Sequence, residues 1–523
     1  MRPRIAKAAM ARRSVLALSA AFASPAVADV TPEDVWAQWT GYLSAFGYTL
    51  ESEPVRENGN IRIPDFAMTM YVPADPDSGR KGGTVAVTFG DIALTDLGDG
   101  TVGIEIPEDM TVSISGDGPG DEDFSARINI RTDGARTVAS GDVDDITYDY
   151  TAARTVVSLE EVEGEQGDIP IPGTVAVTLE DAAGRNRIAV ENDETRVDQS
   201  FEVARFVYDV ALSEVNPGQQ GDLTWQGTLN GLTSSTSGVI PDEVDPLAID
   251  EAVADGYAVA ADFGFDSGQG SFEFSDPKQQ VRLVSSSEGG RFSLSLSSAG
   301  MAYDVLTEDL SLSIAGSELP FPIDTTAAAI GLGIQLPLLA GEEEQPFGAT
   351  LTLTDVTIPD AIWMMADPSN GLPHDPVTVE VAISGQSRLF VNILNEAEMS
   401  ALDRTGGQPG EVTRLNLDAL RLRGAGASID GSAAFDIDNS SSSIFAPDLP
   451  AFGGTANLRL TGVTGLLSTL GQLGIIPMQQ AMMTGAMIQQ LGRQESGPDD
   501  LSAEIELSPT GSLTINGAPF PLQ

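Results

Sequence analysis

The sequence predicts a mainly β fold, an elongated or curved antiparallel sheet system with a few peripheral helices. The first observation is a recurrent period-two alternation of apolar and polar residues, which gives a strand one apolar face and one polar face. The second is the turn chemistry between these segments, as at Asp99-Gly100, Asp133-Gly134 and Gly289-Gly290. The third is the scarcity of helical periodicity in 523 residues that include 55 glycines and 31 prolines.

The first predicted element of the chain body is a helix that begins near Thr31. Thr31 can cap it, Pro32 suits the first helical position, and Gly47 can end it. Its apolar face would consist of Trp36, Trp39, Leu43 and Phe46. Two tryptophans on one helix face predict a core anchor.

Predicted strands follow from residue 84 to the end of the chain. Alternation is clearest at 84–89, 174–179, 294–296, 310–314, 330–336, 377–383 and 503–507. The last of these segments is followed by a predicted turn at Thr510-Gly511 and by a second strand that contains Leu513 and Ile515. The pattern favours an antiparallel system over a parallel α/β fold, because parallel strands would read as continuous apolar runs.

Few further helices are predicted. One spans Pro246 to Asp255 and another spans Pro359 to Ala366. A helix pair follows, with an apolar face from Leu466 to Leu473 and a Met-rich segment that starts at Pro477. Met-rich faces can serve as adaptable binding surfaces, and the alternative is an ordinary helix hairpin packed on the sheet.

The N-terminus is predicted to be a signal peptide of residues 1–28. Met1–Arg13 is basic, Ser14–Ala23 is a short apolar run, and Ala26-Val27-Ala28 resembles a cleavage site. We therefore expect export to the periplasm, by general secretion or by the twin-arginine route that Arg12-Arg13 suggests. Residues 29–523 would form a single elongated β-rich region with a seam near 245–256 between two halves, and no later run is long enough for a transmembrane anchor.

The charge balance excludes several partners. The chain has 27 Lys and Arg against 77 Asp and Glu, a formal net charge of −50. Such a surface repels phosphate backbones and anionic headgroups, so we expect no nucleic-acid binding. The acidity favours solubility over calcium binding, because no acidic cluster has the spacing of a calcium loop.

The sequence lacks the residues of common catalytic sites. It contains no cysteine and one histidine, His374, between Pro373 and Asp375-Pro376. Ser275-Asp276-Pro277-Lys278 matches a nucleophile motif only by its letters, since Pro277 opposes a helix interior. We predict no enzyme activity and no cofactor or metal; an acid-based hydrolase is the remaining catalytic alternative, because 77 acids include many carboxylate pairs.

The C-terminal half carries a pattern of Pro, Gly and turn residues. The segments are Leu319-Pro320-Phe321-Pro322, Gln345-Pro346-Phe347, Ile362-Trp363, Asp367-Pro368, Leu372-Pro373-His374-Asp375-Pro376, Pro409-Gly410-Glu411, Gly474 to Ala481, Asp500-Leu501 and Gly511 to Gly517. Together with Asp34-Val35-Trp36 they resemble the alphaproteobacterial secreted family called domain of unknown function 2125. His374 departs from the basic Arg usual there. The resemblance implies an architecture and no activity. At the level of fold alone, the chain is also similar to AsmA-type envelope proteins, whose curved sheets serve as lipid grooves.

The function expected from these observations is non-catalytic. The chain would be a soluble periplasmic protein of the cell envelope that binds an apolar or lipid-like ligand in a sheet-lined groove. The alternative is a structural or protein-interaction role with a closed core and no ligand. The predicted groove-lining residues are Ile330, Leu332, Ile334, Leu336, Val377, Val379, Val381 and Ile383.

Overall fold

The structure is a computed structural model, which describes residues 29–45, 47–72, 83–117, 123–164, 167–170, 173–191, 194–213, 221–241, 248–443 and 449–520. The predicted signal peptide lies outside the described residues, as do residues 245–247 of the predicted seam. No helix among the described residues is long and apolar enough to cross a membrane.

Strands dominate the described chain. The N-terminal half contains β1 (Tyr48–Leu50), β2 (Val55–Glu57), β3 (Asn60–Ile63), β4 (Ala67–Val72), β5 (Gly83–Thr88), β6 (Ile92–Asp96), β7 (Val102–Glu105), β8 (Asp109–Asp117), β9 (Asp123–Asp133), β10 (Arg136–Asp142), β11 (Asp145–Gly164), β12 (Gly167–Pro170), β13 (Gly173–Glu191), β14 (Glu194–Ser213) and β15 (Asp222–Pro241). The C-terminal half contains β16 (Ala258–Phe265), β17 (Ser267–Ser275), β18 (Gln280–Ser287), β19 (Gly290–Ser297), β20 (Gly300–Gly316), β21 (Ile323–Leu336), β22 (Gln345–Val356), β23 (Val377–Leu389), β24 (Gly410–Gly424), β25 (Ala427–Ser442), β26 (Pro450–Thr461), β27 (Arg493–Gly497), β28 (Asp500–Leu507), β29 (Leu513–Ile515) and β30 (Ala518–Phe520).

All strand pairs of the described residues are antiparallel, which confirms the predicted mainly β fold. The central ladder runs β11–β13–β14–β15, and a second ladder runs from β20 through β26 in chain order to β28. Between them lie two short pairs. β16 and β19 connect one half of β15 to β20, and β17 and β18 connect the other half.

The sheet also divides at β11, because this strand is much longer than its partners on one side. β11 has 20 residues, whereas β10 has 7 and β9 has 11. One edge of β11 therefore pairs with both. One branch continues from β10 to β7, β6, β3 and β2, and the other continues from β9 to β8, β5, β4 and β1.

The first helix, α1 (Pro32–Ala45), confirms the predicted anchor. The Asp34 backbone N–H donates to Thr31 Oγ1 at 3.3 Å, and the Thr31 N–H donates to Asp34 Oδ2 at 2.9 Å. This reciprocal cap satisfies N–H groups that a helix start leaves unpaired. Trp36 packs edge-on against Phe66, with ring centroids 6.4 Å apart.

A closed apolar core lies between α1 and the two branches. Its buried residues include Val30, Val35, Trp36, Ile61, Ile63, Phe66, Ile92, Leu94, Val102, Ile104, Ala139, Ile146, Tyr148, Ile188 and Val197. Burying a side chain such as Leu94 stabilises the fold by about 1.5–3 kcal/mol relative to leaving it in water. This core is the most completely covered part of the described chain.

A smaller cluster marks a crease in the long strands. Ala182, Val203 and Leu232 are buried, and Leu179, Phe206 and Leu229 pack against them. On each of these strands, the buried apolar residue and the apolar residue that packs against it are thus three positions apart, whereas strict alternation would place them two positions apart. In β13 and β15 this three-residue spacing is explained by one residue in the left-handed backbone conformation, Asp181 with φ 52° and Gly231 with φ 61°. The apolar side chains of these strands therefore stay on the same side of the sheet before and after the crease.

Five further helices lie in the described part of the chain: α2 (Ile249–Ala254), α3 (Asp360–Ala366), α4 (Glu396–Thr405), α5 (Val463–Gln472) and α6 (Met478–Leu491). Four of them match predicted helices. The described part of α2 is shorter than expected, and the sheet ladder continues past it, since Val239 of β15 pairs with Ala258 of β16. The prediction missed α4, although Asn395 caps it by accepting from the Glu398 N–H and Gly406 ends it with φ 66°.

Candidate functional site

The predicted groove-lining residues occupy one face of the sheet. Residues directly opposite each other on antiparallel strands point to the same side. β22 lies between β21 and β23, so its residues join the two predicted sets. Three rows result: Ile330–Leu353–Val379, Leu332–Leu351–Val381 and Ile334–Ala349–Ile383. Leu336 pairs instead with Met301 of β20, and Val377 pairs with Val356.

The middle row extends well beyond the predicted residues. It begins at Phe263 of β16 and ends at Leu420 of β24, across seven strands: Phe263, Phe292, Val305, Leu332, Leu351, Val381 and Leu420. A spacing of about 4.8 Å between strands makes the row roughly 29 Å long. We call the surface formed by these three rows and this extension the apolar face.

The apolar face is open in the described structure. Leu332 and Leu351, at its centre, are 41% and 39% exposed. The side chains of Ile330, Leu336 and Ile383 are also more than a third exposed. Core leucines of the same chain such as Leu94 are fully buried. The side chains of the apolar face therefore contact one another across the sheet and still reach solvent.

The opposite face of the same strands is polar and charged. Arg421 Nη1 lies 2.6 Å from Glu380 Oε2, and its Nε lies 3.4 Å from Asp430 Oδ1. Arg291 pairs with Asp304 at 3.2 Å. These exposed pairs contribute little stability individually. Their position shows that each strand presents its charges to one side and its apolar residues to the other.

A second candidate site lies in the N-terminal region. A cavity of about 470 Å³, which we call the α1 pocket, is bounded by α1 and by strands of both branches. Residues lining it include Trp39, Leu43, Phe66, Ile104, Ile188 and Asn186. The size falls in the range of small-molecule sites, and the lining is almost wholly apolar.

Asn186 differs from the other polar residues that line the α1 pocket, which are Tyr42, Thr137 and Tyr148. The Asn186 Oδ1 is buried and has no hydrogen-bond partner, alone among the side-chain oxygens and nitrogens of the described residues. Its neighbours already have partners: the Tyr148 hydroxyl donates to Gln38 Oε1 at 2.7 Å, and Gln38 Nε2 donates to the Ile188 carbonyl at 3.2 Å. Burial raises the pKa of Tyr148, so its hydroxyl stays protonated. An unpaired buried polar group costs about 1–3 kcal/mol, so this oxygen calls for an explanation.

A third exposed apolar surface lies on the C-terminal helices. Met482 and Met483 of α6, and Met364 and Met365 of α3, are each more than half exposed. The predicted helix hairpin is present, since α5 packs against α6 and contacts β25. The binding role of the Met-rich segment stays a prediction.

The only histidine sits in a packing position. The His374 ring stacks on the Trp363 indole with centroids 4.5 Å apart and planes 7° apart. Nearby Asp367 is buried, and hydrogen bonds from the backbone N–H groups of Gly371 and Leu372, the latter at 2.7 Å, hold the pKa of its carboxyl below the usual range. The arrangement fixes the loop after α3.

The motif Ser275-Asp276-Pro277-Lys278 forms the turn between β17 and β18, where Asp276 Oδ1 accepts from the N–H groups of Lys278 and Gln279 at 2.7 Å each. Within the described ranges, no three acidic or histidine side chains converge on a common metal position.

The predicted residues lie on β21 and β23 and include Leu332 at the centre of the apolar face, whereas the residues of β22 between them were not predicted. Leu351 and Leu353 carry the same alternating signal, since each lies between threonines in β22. The sequence gave no signal for Asn186, because a single asparagine in a strand does not indicate whether its side chain is buried or exposed. No family model matches the chain, and comparison with the curated proteins gives no match either.

Proposed function

We propose that this chain is a non-catalytic periplasmic protein of the cell envelope that binds a lipid-like ligand along the apolar face. The observation that carries the proposal is the exposure of Leu332 and Leu351 at the centre of a continuous apolar row. The cellular location rests on the signal peptide predicted from residues 1–28. The resemblance to secreted and AsmA-type envelope families agrees with it and remains a prediction.

Water-exposed apolar rows of this extent are costly unless they bind something. Contiguous apolar patches on soluble monomers are small, and larger ones usually mark interaction sites. The middle row measures roughly 29 Å, which is close to the hydrocarbon thickness of a bilayer of about 30 Å. A bilayer core of that thickness holds two opposed leaflets, so one extended acyl chain laid across the strands would cover about half of the row.

The charges of the chain favour recognition through the ligand's tail. The net charge is −50, and Arg291 and Arg421 are paired with acids on the side of the sheet opposite the apolar face. An anionic headgroup would meet repulsion at long range. Each methylene buried against the face contributes about 0.8 kcal/mol, so the tail supplies the affinity.

The alternative function is a structural or protein-interaction role without a ligand. The core around Leu94 and Val35 favours that role for the N-terminal region, because both side chains are fully buried. For the C-terminal strands, the exposure of the apolar face favours ligand binding. The two functions predict different outcomes when the apolar face is altered.

The test uses two neighbouring residues of β22 that point to opposite faces. Leu351→Gln puts an amide in the middle of the apolar face, and Thr352→Gln puts the same amide on the polar face. We expect Leu351→Gln to weaken binding of a fluorescent fatty acid roughly ten- to hundredfold, which corresponds to losing the burial of one leucine, about 1.5–3 kcal/mol. Thr352→Gln should bind as the native chain does.

Lipid extraction gives an independent measurement. The protein is purified from its native compartment without detergent, extracted with organic solvent, and the extract is analysed by mass spectrometry. Co-purifying lipid that is lost in Leu351→Gln supports the proposal. Absence of both co-purifying lipid and fatty-acid binding at micromolar concentration would overturn it in favour of the structural role.

A further inference from the structure

We propose that the α1 pocket is a second binding site, specific for an apolar molecule that carries one hydroxyl group, and that Asn186 is the residue that recognises this hydroxyl. The proposal is independent of ligand binding on the apolar face. It rests on the coincidence of an apolar cavity of about 470 Å³ with an unpaired amide oxygen in its lining.

The cavity alone would accept any apolar ligand of suitable size. Its walls are side chains such as Trp39, Leu43 and Phe66, which offer contact surface and no charge. Carboxylate or phosphate ligands do not fit this lining, because no cationic side chain is among the residues that bound it. Shape and apolarity thus define the body of the ligand.

The amide of Asn186 defines the single polar group of the ligand. Asn186 lies directly opposite Tyr148 in the β11–β13 pair, on the side of the sheet that faces α1. The Tyr148 hydroxyl is committed to Gln38, so it leaves Asn186 Oδ1 without a donor. A hydroxyl can donate to an amide oxygen and accept from an amide nitrogen, so it satisfies the group in either orientation of the amide.

Specificity follows from the cost of leaving that oxygen unpaired. A ligand without a donor fills the pocket and seals the oxygen away from any partner. A site built around a polar group discriminates strongly against an analogue that lacks the matching group. The pocket should therefore prefer an aliphatic alcohol to the ether of equal size.

The experiment compares decan-1-ol with 1-methoxynonane, which has the same heavy atoms and no donor, by titration calorimetry on the full chain. We expect the native protein to bind the alcohol at least about tenfold more tightly than the ether. In Asn186→Leu, the alcohol should lose that advantage while the ether binds at least as well as before.

Two controls keep the result interpretable. Gln199→Leu makes the same kind of change directly opposite Asn186 on β14, outside the residues that bound the pocket, and should retain the preference for the alcohol. Leu351→Gln should also retain it, because that variant alters only the apolar face. A melting curve for Asn186→Leu checks folding, and we expect no decrease, since the variant removes an unpaired buried group.

Equal affinity of the native protein for alcohol and ether would overturn the proposal, as would binding of neither probe. Loss of alcohol preference in Gln199→Leu would also contradict it, because the discrimination would then not come from Asn186. Failure of this test leaves fatty-acid binding to the apolar face unaffected, so the two proposals are separately refutable.

Discussion

Leu94 and Leu332 occupy equivalent positions in their own strands and opposite environments in the fold. Each alternates with small or polar neighbours, Leu94 in β6 and Leu332 in β21. Leu94 is fully buried, whereas Leu332 is 41% exposed. The N-terminal region covers its apolar face by dividing the sheet at β11 and placing α1 between the branches. The C-terminal strands leave Leu332 and Leu351 of their apolar face partly exposed.

The two regions are consequently held together by different interactions. The N-terminal region gains stability from apolar burial around α1. The C-terminal strands depend more on strand ladders and on local polar clusters. The clearest of these clusters is at Asp500 in β28, which accepts from Arg459 Nε at 3.0 Å and from Arg459 Nη2 at 2.9 Å.

The sharpest test of this comparison is a matched pair of truncations. Leu94→Ala should lower the free energy of unfolding by about 2–5 kcal/mol, because it leaves a cavity in a closed core. Leu332→Ala should cost less than about 1 kcal/mol, because its side chain is already partly hydrated. Denaturant unfolding followed by tryptophan fluorescence measures both. Equal effects would contradict the distinction between a closed and an open region.

The next largest effect is expected at the polar cluster of Asp500. The Arg459 guanidinium, with Ser496, holds the pKa of this carboxyl well below its usual range. Because the pKa is lowered by folding, the stabilisation is complete above the unfolded pKa of about 3.9 and is lost as the pH falls towards the folded pKa.

Asp500→Asn should therefore lower the melting temperature at pH 7, and its difference from the native chain should shrink below about pH 4. Asp436→Asn is the control, since Asp436 pairs with Arg414 but its side chain is 81% exposed. A shift from Asp436→Asn as large as that from Asp500→Asn would show that burial of the pair is unimportant.

Deletion of Ser512–Gln523 tests whether the last strands belong to the sheet. It removes β29, whose Leu513 and Ile515 pair with Leu507 and Ile505, and it removes the Asn516 Nδ2 donor to the Leu491 carbonyl at 2.8 Å. Because these contacts are only partly buried, we expect a moderate decrease in melting temperature. Truncation after Phe520 is the control, and an unchanged melting curve for the longer deletion would refute a structural role.

The smallest effect is expected at the only histidine. His374→Gln removes the stack on Trp363, an interaction of about 0.5–1.5 kcal/mol, and should leave fatty-acid binding unchanged. His374→Phe should restore the stability, because it restores a stacked ring. Loss of an associated phenotype in both variants, with folding intact, would instead indicate a catalytic histidine.

Local chemistry made much of the fold predictable. The cap at Thr31, the turn at Gly511 and the alternation at 330–336 act within a few residues, so sequence alone places α1, the last hairpin and β21. α4 was missed because few of its residues are apolar and none is buried, so only Asn395, Glu398 and Gly406 mark it. The predicted groove residues converge through β22, whose own alternation was not used.

The sequence by itself determined that this chain forms antiparallel strands with one apolar and one polar side, since side-chain direction alternates in any extended chain. Only the tertiary structure decided which apolar sides are covered. Which sides are covered depends on the pairing of β11 with both β9 and β10 and on the position of α1. Both features join residues that are far apart in sequence. Alternation is identical for a buried and an open face, so the closed core, the α1 pocket with Asn186 and the open face around Leu351 are properties of the assembled sheet.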